Sequence, residues 1–182
     1  MQRKNNPIVP HDQLRLHSAE RNDVWESVVW DEFINSLKDT DVRYYPNIEW
    51  VRPQLKEHYN VPVGSDLMLG DGSDRCIKYF FELYSDKRVV LSDPCFGMYN
   101  VYAYMMNMDV VSTPYQFGKF DVKNTIGNID KDSVVVLSNP SSPIGDVISR
   151  GDLIKILHTG VPTLVDEAYI EFSDEESTIE LT

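Results

Sequence analysis

The sequence predicts a three-layer α/β fold around a mostly parallel sheet, and three observations carry that prediction. Short apolar segments alternate with helical patterns through the middle and end of the chain, the pattern of strands joined by crossover helices. The strongest segment, Ser133-Val-Val-Val-Leu-Ser138, is continuous and β-branched, as strands buried on both faces are. A later one, Pro162-Thr-Leu-Val-Asp-Glu-Ala-Tyr169, ends in two acids and, after Ala168, a tyrosine. Ligands of open α/β sheets bind beyond the carboxyl ends of the strands, so Asp166 and Tyr169 stand where chemistry would be done.

Taken in order, residues 1 to 13 are polar, carry Pro7 and Pro10, and read as an arm. Val24, Trp25, Val28, Val29, Phe33, Ile34 and Leu37 recur at helical spacing and predict an amphipathic helix. Arm and helix, residues 1–40, form one region, and residues 41–182 form the second. Pro46 breaks the stretch from Asp41 to Asn47, and a helix follows from Val51 to His58 with Pro53 tolerated in its first turn. Leu67-Met-Leu69 closed by Gly70 and Gly72 predicts a strand and turn. The next helix, Ser73 to Tyr84, places Ile77, Phe80, Phe81 and Tyr84 on one face.

Lys87 to Asp93 repeats the strand, and Gly97 to Met106 repeats the helix with aromatic residues and methionines. Val110 to Tyr115 is a strand expected near a sheet edge, because Pro114 has no N–H for a ladder. Asp121 to Ile129 fits no single pattern. Ser149 caps a helix running to Leu157, with Ile154, Ile156 and Leu157 inward, and Gly160 marks its end.

Composition narrows the function. A chain of 182 residues with 42% hydrophobic and 25% charged residues can bury a sizeable core. Its formal net charge of −12 repels nucleic acid and anionic lipid over most of the surface, leaving room for a local phosphate site. The apolar runs are too short to span a bilayer and the first residues lack a signal-peptide core, so a cytoplasmic protein is expected. Cys76 and Cys95 form no CxxC pair and no His cluster accompanies them; they read as reduced, structural thiols, with no metal site.

Several stretches could carry chemistry. Gly70-Asp-Gly-Ser-Asp74 opens a helix, so its backbone N–H groups and the helix dipole suit an anion such as a phosphate. It can equally be a turn that needs glycine. With Asp93 downstream, Gly70 and Gly72 could also begin a dinucleotide fingerprint, although Arg75 stands where a third glycine belongs. Phe96, beyond the strand ending at Asp93, could lie against a planar ligand or simply pack. Asn139-Pro-Ser-Ser-Pro-Ile-Gly145 ends the strongest strand in a rigid polar turn.

The ordered series Tyr44-Tyr45-Pro46-Asn47, Leu69-Gly-Asp-Gly-Ser-Asp74, Asp93-Pro-Cys-Phe-Gly-Met-Tyr99, Asn139-Pro-Ser-Ser-Pro-Ile-Gly145 and Val165-Asp-Glu-Ala-Tyr-Ile-Glu-Phe172 resembles the fold-type I pyridoxal-phosphate aminotransferases, and within them the histidinol-phosphate aminotransferase group. The resemblance runs from about Leu16 to Thr182. It implies the large domain of that transferase fold and an amino-group transfer between an amino acid or amino-phosphate compound and a 2-oxo acid. It implies pyridoxal phosphate as cofactor: Gly72, Ser73 and Asp74 around the phosphate, Phe96 on the ring, Asp166 at the ring nitrogen, Tyr169 and Ser142 at the ring oxygen. Tyr45 would reach a partner's cofactor phosphate across a dimer interface.

Three departures accompany it. Ser142 stands where the family commonly carries asparagine, and Ala19-Glu20-Arg21 only partly echoes an Asn-Glu-Asn element. The family also attaches its cofactor through a lysine beyond the Asp-Glu-Ala-Tyr strand, whereas all nine lysines here, from Lys4 to Lys155, precede Asp166. The expectation is therefore an N-terminal portion, truncated before that lysine and the small domain, with Ser177 to Thr182 beginning the next helix. Covalent attachment of the cofactor is not expected, and the partners are a second copy or a complementing C-terminal half. The alternative is a non-catalytic module that binds pyridoxal phosphate or another phosphate ligand, or a partner subunit of a split enzyme.

Overall fold

A computed structural model describes residues 25–37, 43–45 and 47–182. The expected arm, Val24, the Ala19-Glu20-Arg21 element and Pro46 lie outside the described residues. The chain forms two compact units, 1–53 and 54–182.

In the first unit, the apolar spacing that predicts a helix produces α1, Ser27–Ser36. None of its residues is buried, and Trp30 packs against Trp25 and Phe33 at ring distances of 6.4 and 5.8 Å. A 3-10 turn, Ile48–Trp50, is capped by the Asn47 side chain, which accepts the Glu49 N–H at 3.0 Å. It runs into α2, Val51–His58, the span read from the sequence, whose residues from Gln54 onward belong to the second unit.

The second unit holds α3 (Ser73–Leu83), β1 (Arg88–Asp93), α4 (Gly97–Met105), β2 (Val110–Pro114), α5 (Val122–Gly127), β3 (Ser133–Ser138), α6 (Arg150–Leu157) and β4 (Thr163–Asp166). The four strands pair in parallel in the order β2-β1-β3-β4. Side chains alternate across a strand, and both central strands use that alternation to feed two cores. Val89 and Leu91 of β1, with Val134 and Val136 of β3, join Ile77 and Phe81 of α3 and Tyr99, Tyr102 and Ala103 of α4. Val90, Val135 and Leu137 face the other way, onto Leu153 and Ile156 of α6, with Val122 and Ile126 of α5 beside them. This is the three-layer arrangement. Each fully buried Val, Leu, Ile or Phe among them contributes about 1.5–3 kcal/mol relative to exposure.

β2 is an outer strand, as Pro114 requires, and its carboxyl end pairs Asp93 with Pro114. The stretch from Asp121 to Ile129 resolves into α5, whose start is fixed by Asp121 accepting the Asn124 N–H at 2.9 Å. Ser149 caps α6 through the Asp152 N–H at 3.2 Å. Leu153 and Ile156 are its buried residues, with Ile154 and Leu157 only half-buried, a small rotation from the face read in sequence.

One expected strand is absent. Leu67-Met-Leu69 alternates half-buried, exposed, half-buried, but has no ladder partner among the described residues. Its approach is held by side chains instead: Lys56 Nζ donates to the Ser65 carbonyl and to Asp66, and Asp66 accepts the Leu67 N–H. The glycine turn before α3 therefore does not follow a strand, which removes the strand-turn-helix context a dinucleotide fingerprint needs.

Candidate functional site

The chain leaves β1 through α4 toward β2 on one face, and leaves β3 through α6 toward β4 on the other. Between β1 and β3 the connections run in opposite directions, which opens a crevice beyond the carboxyl ends of those strands. The crevice is occupied by a recess lined by Ser73, Phe96, Ser138, Pro140, Ser142, Asp166, Ala168 and Tyr169. Its enclosed part is about 50 Å³, so these residues make a floor and one wall. A larger open cleft of about 600 Å³ lies beside His58, Tyr59, Glu167, Glu171 and Glu175 and is lined by none of the residues the resemblance assigns to the cofactor.

Five of the candidate residues thus meet: Ser73, Phe96, Ser142, Asp166 and Tyr169. Gly72 and Asp74 flank Ser73 at the start of α3 without lining the recess. Tyr45 belongs to the first unit, with its side chain fully exposed.

Each is placed by a local cause. Gly72 has φ +77° and ψ 171°, a conformation open essentially to glycine, and it turns the chain into α3 without offering a side-chain cap. A Cβ on Gly70 would come within 2.8 Å of Cys76 Sγ, so this glycine answers to space. α5 and α6 begin under side-chain caps, whereas α3 and α4 begin at Gly72 and Phe96 with none. The first-turn N–H groups of α3, beside Ser73, are therefore available to an anion.

The Asn139–Gly145 turn is more rigid than its polar residues suggest. Asn139 is buried, and its side-chain oxygen accepts the Ile148 N–H at 2.9 Å while its own N–H donates to the Asp166 carbonyl at 2.9 Å. Ser141 is buried and Ser142 alone of the three faces the recess, its N–H donating to Ser138 Oγ at 3.1 Å. Buried Asp146 fastens the turn from behind, accepting from Lys119 Nζ at 2.6 Å and the Phe120 N–H at 3.0 Å. Burial by itself would raise its pKa; the Lys119 and backbone contacts outweigh that and hold it below the usual carboxylate range.

Asp166 ends β4 half-buried. Its Oδ2 accepts the Tyr99 hydroxyl at 2.7 Å and its Oδ1 the Ala168 N–H at 3.2 Å. Tyr99 is fully buried, and burial first, then the Asp166 charge, push its phenol far above the usual range, so it stays a proton donor. Sequence reasoning did not single out Tyr99. The signal was its nearness: Tyr99 stands in the first turn of α4, three residues after the N-cap Phe96, and the two rings meet edge to face at 5.6 Å. Glu167, the second acid, points away from the recess and binds Ser177 and Thr178.

Comparison with known proteins fits this geometry. Residues 28–181 match the family described as aminotransferase class I and II, and the chain belongs to that family. Among curated relatives it is similar to the histidinol-phosphate aminotransferase of Thermococcus kodakarensis, with 30% identity over 149 residues, covering 80% of this chain and 44% of that protein. The histidinol-phosphate aminotransferase of Chlorobium luteolum is 35% identical over 147 residues, covering 78% and 40%. The chain spans about half the length of the curated relatives it matches. Among solved structures, the fold matches the histidinol-phosphate aminotransferase of Clostridium acetobutylicum with a TM-score of 0.68 at 23% identity, covering 85% of this chain and 46% of that one. It also matches the Sinorhizobium meliloti histidinol-phosphate aminotransferase in complex with pyridoxal phosphate, with a TM-score of 0.64 at 20% identity, covering 81% and 41%.

Proposed function

We propose that the recess is the pyridoxal-phosphate site of an aminotransferase large domain of the histidinol-phosphate type, acting between an amino acid or amino-phosphate compound and a 2-oxo acid. The observation that carries this reading is the convergence of Asp166, Phe96 and the uncapped first turn of α3 on one recess at the sheet's switch point. The donor set fits the group. Backbone N–H groups of Ser73 and Asp74 and the Ser73 hydroxyl suit a phosphate. Half-buried Phe96 offers a flat apolar face to a ring, and the hydroxyls of Ser142 and Tyr169 suit a ring oxygen.

Pyridoxal phosphate, when bound, supplies the electron sink that accepts the pair left by a departing α-proton. The chain's part is to hold a proton at the ring nitrogen. Asp166 does so as the negative charge beside it, since a nearby anion favours the protonated form. Tyr45 is assigned to the phosphate of a partner's cofactor in a dimer. None of the nine lysines follows Asp166, and we assign none of them the role of covalent attachment.

A second reading, a binding module that works with a separate polypeptide, draws on the same recess and uncapped first turn of α3. Titration with pyridoxal phosphate followed by borohydride reduction and peptide mapping tests the first: saturable binding is expected, without a stoichiometric adduct on one lysine. Absence of saturable binding overturns the function, and a unique adduct overturns the assignment for the lysines. Transamination appearing only when a C-terminal half of a relative is added identifies the split arrangement.

A further inference from the structure

We propose that Tyr99 is a positioning residue that acts on the ring nitrogen of the cofactor through Asp166. The inference rests on the cofactor reading given above and adds to it a residue that does not itself line the recess.

Tyr99 touches two recess residues at once. Its hydroxyl donates to Asp166 Oδ2 at 2.7 Å and its ring meets the Phe96 ring edge to face at 5.6 Å and 83°. It is fully buried on α4, in the same cluster as Ile77, Phe81 and Val136, so its position is set by the core and not by a ligand. A half-buried carboxylate at a strand end can rotate. Here one oxygen is held by a phenol and the other by only a long contact to the Ala168 N–H, and the phenol decides the plane of the group. Charge-assisted hydrogen bonds of this kind are short and strong. The phenol donates its proton to Oδ2 and so does not compete for the cofactor's proton.

The consequence is selective. Losing the hydroxyl should weaken whatever Asp166 does at the ring nitrogen and leave the phosphate and ring-stacking contacts alone. Two ligands separate these contributions: pyridoxal phosphate, and its deaza analogue in which CH replaces the ring nitrogen. Both carry the phosphate and a planar ring, and only the first offers Asp166 a partner.

Binding of both compounds to the unaltered 182-residue chain and to its Tyr99→Phe, Asp166→Ala and doubly substituted forms makes the test. Tyr99→Phe keeps the ring in the core, and near-ultraviolet circular dichroism confirms the packing. The unaltered chain should prefer pyridoxal phosphate. Tyr99→Phe should weaken that ligand by about five- to tenfold, the scale of one charge-assisted hydrogen bond, and leave the deaza analogue unchanged. In the Asp166→Ala background it should change neither. In the unaltered chain, the Tyr99 hydroxyl proton should be seen by NMR as a protected, downfield resonance that moves on adding pyridoxal phosphate and stays put on adding the analogue.

Equal weakening of both ligands, or none, overturns the positioning role and leaves the cofactor site standing. An unmoved hydroxyl resonance under saturating pyridoxal phosphate overturns it as well, without need of any variant. Failure of the unaltered chain to bind either compound overturns the cofactor reading, and the inference falls with it.

Discussion

Glu167 holds Thr178 by two hydrogen bonds on one oxygen: Oε1 accepts both the backbone N–H and the hydroxyl of Thr178 at 2.7 Å, while Oε2 accepts the Ser177 hydroxyl at 2.6 Å. Thr178 is buried, so its N–H has no water to fall back on. The residue next to Asp166 thereby anchors the segment that ends in the 3-10 turn Ile179–Leu181. Glu167→Ala should cost about 1–3 kcal/mol, the range for orphaning a buried donor. Urea unfolding reads this as a lowered midpoint at unchanged slope; an unchanged midpoint contradicts it.

Asp146 makes stability depend on pH. Its pKa is depressed by Lys119 and backbone contacts against the opposing effect of burial. A depressed carboxylate stabilises the fold above its unfolded value, about 3.9, and that contribution is lost as pH falls through the lower folded value. Thermal unfolding midpoints of the unaltered chain should therefore drop steeply below about pH 4, and those of Asp146→Asn less so. Lys119→Met should cost less than Asp146→Asn, about 0–1 kcal/mol, because Lys119 is 80% exposed and the Phe120 N–H remains. Parallel pH profiles for Asp146→Asn and the unaltered chain would contradict this.

The two kinds of helix start predict costs of different origin on substitution by alanine. Ser149→Ala removes a cap and should cost about 1 kcal/mol. Gly72→Ala removes no contact, and its new Cβ would meet nothing within 4 Å. It should still cost about 1–3 kcal/mol, because φ +77° with ψ 171° is open essentially to glycine. Denaturant midpoints check both, and a neutral Gly72→Ala would show that the turn relaxes to another conformation.

The Cys95 thiol is pushed up to about 11, chiefly by burial and then by the Asp93 charge, with the Asn100 contact working the other way. Thiolate is the reactive form. Alkylation of Cys95 in the folded chain should accelerate about tenfold per pH unit through the range up to about pH 10. A rate that levels off near pH 9 would place the thiol in a different setting.

Much of this architecture is legible in the residues. β-branched runs mark β1 and β3 because both faces of each are buried, and Pro114 marks β2 as an outer strand because it lacks a donor. The strand expected at Leu67–Leu69 fails for a reason no local pattern contains: an extended segment becomes a strand only when a neighbour pairs with it. α5 was ambiguous because six residues carry too little periodicity, and its start is decided by the Asp121 cap. In the recess, Phe96, Asp166 and Tyr169 were visible as strand-end residues. Tyr99 was not, since its role lies in a hydrogen bond across 67 positions of sequence. Asn139 and Ser142 are neighbours of similar chemistry, and only the turn's geometry sends one into the core and the other to the recess.

The most direct test of the central claim is amide chemical-shift mapping while pyridoxal phosphate is added to the chain. Saturable shifts should concentrate at Gly72, Ser73 and Asp74, at Phe96, at Ser142, and from Asp166 to Tyr169, and Asp166→Ala should weaken the apparent affinity about tenfold. Shifts confined to exposed lysines, or an Asp166→Ala titration identical to that of the unaltered chain, would contradict it.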